Sequence, residues 1–294
     1  MPRKFFLLFV LAAITLLPAP KKKKRVRLPV AVERVIAASP ALARGHIGIR
    51  VADLTGRVIY ERNPRHWFVP ASNTKLYSTA LALSRLGPDF RFSTRLAAKS
   101  APDANGVLHA DLHLIGSGDP SLSGRRYPYD KDNGWEDSVP ALEELAVQLA
   151  RRGVREIRGS VIGDDTAFLH EPFPDGWSID DPLYEYGAPV SALTLLDNAV
   201  RLQVTPAANP GEMAEVSLHP DPGHLLLIPS VETVPVGATA RLQIDRPPHT
   251  SELRITGSVA QGAPPSSSLL AIDDPALYAA QFLTAELQRQ GISV

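Results

Sequence analysis

The chain of 294 residues contains no cysteine, which excludes a disulfide framework and any metal site built on thiolates. Lysine is almost as scarce beyond the basic run at 21–25: only Lys75, Lys99 and Lys131 follow it, and arginine serves nearly everywhere else. Arginine does not shed its proton in proteins, whereas lysine does when burial and neighbours favour it. An isolated lysine in an arginine-preferring chain therefore marks a place where arginine would fail. Aromatics make up only 6% of the residues. No apolar run reaches the about 20 residues of a comfortable membrane span, and no repeat with a period in the solenoid range is visible. Positive charge is also lacking where it would matter. The formal net charge is 0, but residues 1–25 hold seven basic groups and no acidic ones. The remaining 24 basic groups face 31 acidic ones, a net of about −7, which excludes charge-driven nucleic-acid binding.

What is present describes a globular protein with many turns and short strands: 44% hydrophobic residues, 27 prolines and 20 glycines. The N-terminus, Met1-Pro-Arg-Lys followed by the apolar stretch Phe5 to Leu17, has the charged head and apolar core of a secretory leader over residues 1–20. A basic segment at 21–27 follows, a candidate contact for an anionic membrane surface, with a nuclear-localisation patch as the alternative reading. No small-x-small cleavage site stands out around Pro18-Ala19-Pro20, and the basic run opposes translocation.

Periodicity predicts a β-hairpin from His46 to Tyr60, turning at Asp53-Leu-Thr-Gly56. A helix is predicted from Ser72, with Leu76, Thr79, Ala80, Leu83 and Leu86 at helical spacing, packed behind a sheet and stopped by Gly87-Pro88. Strands are predicted at 91–96 and 107–114, a helix at 139–152, a strand at 157–163 and several short strands between 199 and 257. Gly262 to Ser268 reads as a linker, and Asp274-Pro275 opens a last helix running through Gln290.

Ser72-Asn73-Thr74-Lys75 carries the chemistry. A serine and a lysine three residues apart share one helix face, and a serine hydroxyl needs an adjacent base to become a nucleophile. Four-residue strings of this type also arise by chance, so the surroundings decide. Val69-Pro-Ala-Ser-Asn-Thr-Lys75, Gly116-Ser-Gly-Asp-Pro-Ser-Leu122, Gly163-Asp-Asp-Thr-Ala-Phe168 and Tyr186-Gly-Ala-Pro-Val-Ser-Ala-Leu193 with Asp197-Asn198 occur in that order. Together they resemble the D-alanyl-D-alanine carboxypeptidase/endopeptidase family, the class C low-molecular-mass penicillin-binding proteins, over residues from about 30 to 294.

The resemblance implies an α+β fold: an incomplete penicillin-recognising serine transpeptidase (β-lactamase-like) domain interrupted by a large β-rich inserted region. The first part of the peptidase domain would occupy 28–95, the insert 96–262, and the returning segment 263–294. The implied activity is an exported, periplasmic serine peptidase acting on the D-Ala-D-Ala peptides of peptidoglycan and acylated by β-lactams. Ser72 would be the nucleophile, Lys75 its base, the Ser72 backbone N–H an oxyanion donor, and Asp165 a residue reaching the cleft from the insert. No cofactor and no metal are implied. The family's S-x-N and K-[S/T]-G motifs do not occur in the sequence. This suggests a chain cut before the second half of its site, with impaired or no activity. A noncatalytic peptidoglycan or β-lactam binding remnant is the alternative, and a serine β-lactamase the third reading.

Other residues read more plainly. His109, Asp111 and His113 would share one strand face, but without a further ligand they do not make a metal site. Gly116-Ser-Gly118 reads as a turn rather than a phosphate cradle, and Asp164 and Asp165 as turn caps unless the resemblance holds for Asp165. Asp197 and Asn198 are expected to fix a turn.

Overall fold

The computed structural model describes residues 27–125, 137–247 and 250–294. The expected leader and all but the last residue of the basic segment lie outside the described residues. The chain divides into two units, Met1–Asp89 and Phe90–Val294.

In the first unit, α1 (Leu28–Ala38) is followed by α2 (Pro40–Arg44), where the Ser39 side chain caps the start by accepting from Leu42 N. The hairpin of β1 (Ile49–Ala52) and β2 (Val58–Arg62) is antiparallel, with Ile49 opposite Arg62 and Val51 opposite Tyr60. Its turn is built on one carboxylate: Asp53 Oδ1 accepts from Thr55 N (3.0 Å), Thr55 Oγ1 (2.6 Å) and Arg57 N (3.0 Å), while Gly56 takes φ +87°. Glu33 of α1 ties helix to hairpin, accepting from the Tyr60 hydroxyl and from Arg62 (2.7 Å). The Tyr60 hydroxyl and Arg62 hold the Glu33 carboxyl below its usual range. Ile36 and Tyr60 are the buried residues of this small core.

The next helix, α3 (Thr74–Leu86), ends where Gly87 adopts φ +81° and donates to Leu83 O. Its apolar flank departs from expectation. None of its residues is buried, and Leu76 is 70% exposed. The expected helix is present, but the expected packing behind a sheet is not: among the described residues no sheet lies over it.

The second unit continues with β3 (Arg95–Ala98), β4 (Val107–Leu108), β5 (Leu112–Ile115), α4 (Pro140–Arg151), β6 (Glu156–Ile157) and β7 (Val161–Asp164). Beyond these come β8 (Ala199–Thr205), β9 (Glu215–His219), β10 (Leu226–Val234), β11 (Arg241–Asp245), β12 (Glu252–Ala260), β13 (Ser266–Ala271) and α5 (Pro275–Arg289). Three three-stranded sheets run in the orders β3-β5-β7, β13-β8-β9 and β10-β12-β11, and β4 pairs with β6. In two of these sheets parallel and antiparallel pairs are mixed: β5 lies parallel to β7 and β10 to β12, while β3 and β11 are antiparallel to their neighbours.

The 107–114 alternation is thus two strands rather than one, because β4 and β5 join different sheets. Ser266–Ser268 is strand rather than linker: it pairs with Val204, Gln203 and Leu202 of β8, a partnership that composition does not reveal. Residues 263–294, expected to begin a return to the peptidase domain, lie in the second unit.

The core of this unit gathers Leu114 from β5, Leu142 from α4, Leu202 from β8, Ile255 from β12, and Tyr278 and Leu283 from α5. α5 opens where Asp274 Oδ1 accepts from Leu277 N (2.9 Å), with Pro275 in the first turn. It rests directly on β7. A Cβ at Gly163 would fall 2.1 Å from Ala276 O, so only glycine permits this approach.

Candidate active site

Ser72 does not begin the α-helix itself. Ala71–Asn73 form a 3-10 turn ahead of α3, in which Asn73 N donates to Pro70 O (3.0 Å) and Thr74 N to Ala71 O and Ser72 O. Ala71 has φ +45°, a left-handed conformation that alanine rarely adopts. Lys75, one residue into α3, turns its side chain back, and its Nζ donates to Ser72 Oγ at 3.3 Å. The nucleophile and base candidates are therefore brought together. Both are exposed, and hydrogen bonds of this kind are often long before substrate tightens them. Thr79 Oγ1 (2.6 Å) and Ser78 Oγ (3.2 Å) both donate to the Lys75 carbonyl, holding the backbone beneath the lysine.

The approach to this turn is anchored by residues that the sequence did not single out. The Phe68 ring stacks on His46 with centroids 4.5 Å apart, and His46 stacks in turn on His66. Gly48 makes room for that ring, since a Cβ there would lie 2.5 Å from Phe68 Cε2. Asn63, at φ +48°, donates to Ile47 O (2.8 Å) and closes the same corner.

The other motifs meet within the second unit. Gly116 lies against Ala192, where a Cβ would be 2.2 Å from Ala192 O, and Gly118 N donates to that same oxygen (2.8 Å). Asp119 turns the loop by accepting from Ser121 N and Oγ. Asn198 is buried. Its Oδ1 accepts from Leu195 N (3.0 Å) and its Nδ2 donates to Pro189 O (3.1 Å), while Leu196, Asp197 and Asn198 all have positive φ. Asp197 is ion-paired with Arg125. The three motif segments thus brace one another, and the turn expected at 197–198 is real.

Asp164 caps its own turn, accepting from Thr166 Oγ1 (2.6 Å) and N (3.1 Å), and these bonds hold its carboxyl below the usual range. Asp165 is half-buried and accepts from Ser191 Oγ (2.9 Å), whose oxygen also receives Leu193 N. It belongs to the second unit and Ser72 to the first. The histidine cluster does not assemble: His109 pairs with Asp103 (3.0 Å), Asp111 accepts from Ser160 N, and His113 lies on β5.

One further titratable cluster escaped the sequence reading because its members lie far apart in the chain. His224, between β9 and β10, directs Nε2 at Asp273 Oδ1 (2.9 Å) and Nδ1 at Gln281 Oε1 (3.0 Å) and the Pro222 carbonyl (3.1 Å). Burial opposes the imidazolium. Hydrogen bonds to Asp273, Gln281 and Pro222, with the Asp273 charge, outweigh it and hold His224 up to about 8.

Comparison with known proteins gives this architecture its context. The profile of the D-Ala-D-Ala carboxypeptidase 3 (S13) family matches residues 28–294. A D-alanyl-D-alanine carboxypeptidase from Actinomadura sp. (strain R39) is 38% identical over 266 residues, covering 88% of this chain and 46% of the relative. D-alanyl-D-alanine carboxypeptidase DacB from Haemophilus influenzae is 22% identical over 80% of this chain and 46% of its own. The chain therefore spans about half the length of the curated relatives it matches. The crystal structure of penicillin-binding protein 4 (dacB) from Haemophilus influenzae superposes with a TM-score of 0.66 at 21% identity, over 82% of this chain and 49% of that one. A second structure of that protein, complexed with a β-lactam, gives 0.58 at 20% identity. The α+β, penicillin-recognising fold follows from these likenesses, and the chain belongs to the D-Ala-D-Ala carboxypeptidase 3 (S13) family.

Proposed function

We propose that this chain carries the acylating half of a serine D-Ala-D-Ala carboxypeptidase/endopeptidase that acts on peptidoglycan outside the cytoplasm and is acylated by β-lactams. The observation that supports it most directly is the 3.3 Å contact between Lys75 Nζ and Ser72 Oγ on an exposed surface. In the reaction, Lys75 Nζ takes the Ser72 hydroxyl proton as Oγ attacks the carbonyl of the penultimate D-alanine. The bond to the terminal D-alanine breaks, that amine leaves protonated, and water hydrolyses the ester to restore Ser72. The Ser72 backbone N–H is one oxyanion donor. Asp165 is a further candidate on the resemblance alone. The residues outside the described part supply the leader and basic segment through which export and surface contact would occur, and no helix among the described residues is long and apolar enough to cross a membrane.

A second reading is that the chain binds peptidoglycan or β-lactam without turnover; S-x-N and K-[S/T]-G motifs do not occur in these 294 residues. Fluorescent penicillin separates the readings. Stable labelling that disappears in Ser72→Ala supports the acylating half, and rapid release of the label points to a β-lactamase. No labelling leaves the binding reading. Lys75→Arg should abolish labelling, and its retention would remove lysine from the role of base.

A further inference from the structure

Between the first residues of β3 and the last two turns of α4, within the second unit, lies a cavity of about 180 Å³. Thr94, Arg95 and Leu96 line it from the β3 side, and Gln148, Leu149 and Arg152 from α4 and its end. At roughly 30 Å³ per water, it has room for about six waters or for one short organic group. Its polar lining holds the Thr94 hydroxyl, the Arg95 and Arg152 guanidinium groups and the Gln148 amide, whose Nε2 already donates to Glu144 Oε1 (3.1 Å). Thr94 Oγ1 is fully buried and has no hydrogen-bond partner among the described residues. Neither Arg95 nor Arg152 is ion-paired among the described residues, although Arg95 is near enough to Asp164 to lower that carboxyl.

The C-terminal end of a helix ordinarily repels anions through its free carbonyls. Here those carbonyls are occupied: Arg152 N donates to Gln148 O and Leu149 O, Gly153 N to Ala150 O, and Val154 N to Leu149 O. The two guanidinium groups are the charged side chains of the lining itself. Guanidinium forks match carboxylate geometry, and a buried hydroxyl without a partner is stabilised by any acceptor placed before it. The leucines provide an apolar floor that a bare inorganic ion would not use.

We infer that this cavity is a binding site for a carboxylate carried on a short aliphatic stem. Arg95 and Arg152 grip the carboxylate, the Thr94 hydroxyl donates to it, and Leu96 and Leu149 cover the methylene groups. The site lies within the second unit, whereas Ser72 belongs to the first. Its assignment to a carboxylate-bearing peptide of the cell wall rests on the proposed function, whereas the carboxylate chemistry does not.

The test is calorimetric titration of the full chain at low ionic strength with glutarate, its neutral diamide glutaramide, and inorganic phosphate. Saturable binding of glutarate, at least tenfold tighter than either glutaramide or phosphate, is expected. Arg95→Gln/Arg152→Gln should weaken glutarate at least tenfold and Thr94→Val several-fold, with circular dichroism unchanged. Ser72→Ala should bind glutarate as the parent does, which separates this site from the catalytic reading. Equal binding of glutaramide, tighter binding of phosphate, or full affinity in the double arginine variant would each overturn the assignment.

Discussion

Deprotonating His224 releases a clamp that joins three separate parts of the second unit: the β9–β10 connection, the end of β13 and α5. The ring is well covered, its side chain 11% exposed, and both nitrogens face acceptors, so the doubly protonated form satisfies every contact. Burial opposes ionisation of Asp273, but the hydrogen bond and charge of His224, with the charge of the half-buried Arg246, outweigh it and hold the carboxyl low. Holding the imidazolium from 6.5 up to about 8 corresponds to about 2 kcal/mol, at roughly 1.4 kcal/mol per pH unit. Asp273 is 39% exposed, and solvent screening brings the net effect nearer to about 1 kcal/mol. Because the folded-state value is raised, this stability is fully present below about pH 6.5 and is lost as pH climbs through about 8. Two measurements check it. The His224 ring proton, followed by NMR, should titrate near 8 in the parent and lower in Asp273→Asn. Urea denaturation should show the parent exceeding His224→Gln at pH 6, with the gap closing by pH 9. A gap that does not change between those two conditions, or a ring midpoint at or below the ordinary histidine value, would refute the reasoning.

Gly163→Ala should destabilise the second unit by about 1–3 kcal/mol, the range of overpacking, because its Cβ would meet the Ala276 carbonyl at 2.1 Å; thermal denaturation reads this directly. Asn198→Ala strands the buried Leu195 N–H and the Pro189 carbonyl and should cost about 1–3 kcal/mol per unsatisfied group in a urea melt. Ala71→Gly relieves the left-handed strain before the serine. It should leave stability unchanged or slightly higher while slowing penicillin acylation, since the turn that aims Ser72 becomes loose; an acylation rate equal to the parent's would show that the strained turn does no positioning.

The parts of the fold that could be read from sequence are those whose signals are local. Asp274-Pro275 and the apolar residues after it set out α5, Gly87 closes α3, and Asp53 to Gly56 closes the hairpin, each through bonds that span four residues or fewer. The Ser72–Lys75 pair belongs to the same class, being three residues apart. What could not be read depends on partners distant in the chain. Ser266–Ser268 become strand only because β8 lies beside them, and β4 parts from β5 only because β6 draws it into another sheet. Asp165 meets Ser191, and Phe68 meets His46, through folding alone. The 3-10 turn at Ser72 is not legible in the sequence, because the residue with positive φ in it is an alanine, which gives no hint of that conformation.

The uncovered flank of α3 bears on how faithfully the proposed nucleophile is held. Thirteen residues with no buried member fall within the length at which a free-standing helix in water is barely favoured. The three-residue interval between hydroxyl and amine survives only while that coil does. The proposed chemistry of Ser72 therefore depends on the persistence of this helix, and amide exchange along the segment gauges how often the Ser72–Lys75 pair is formed.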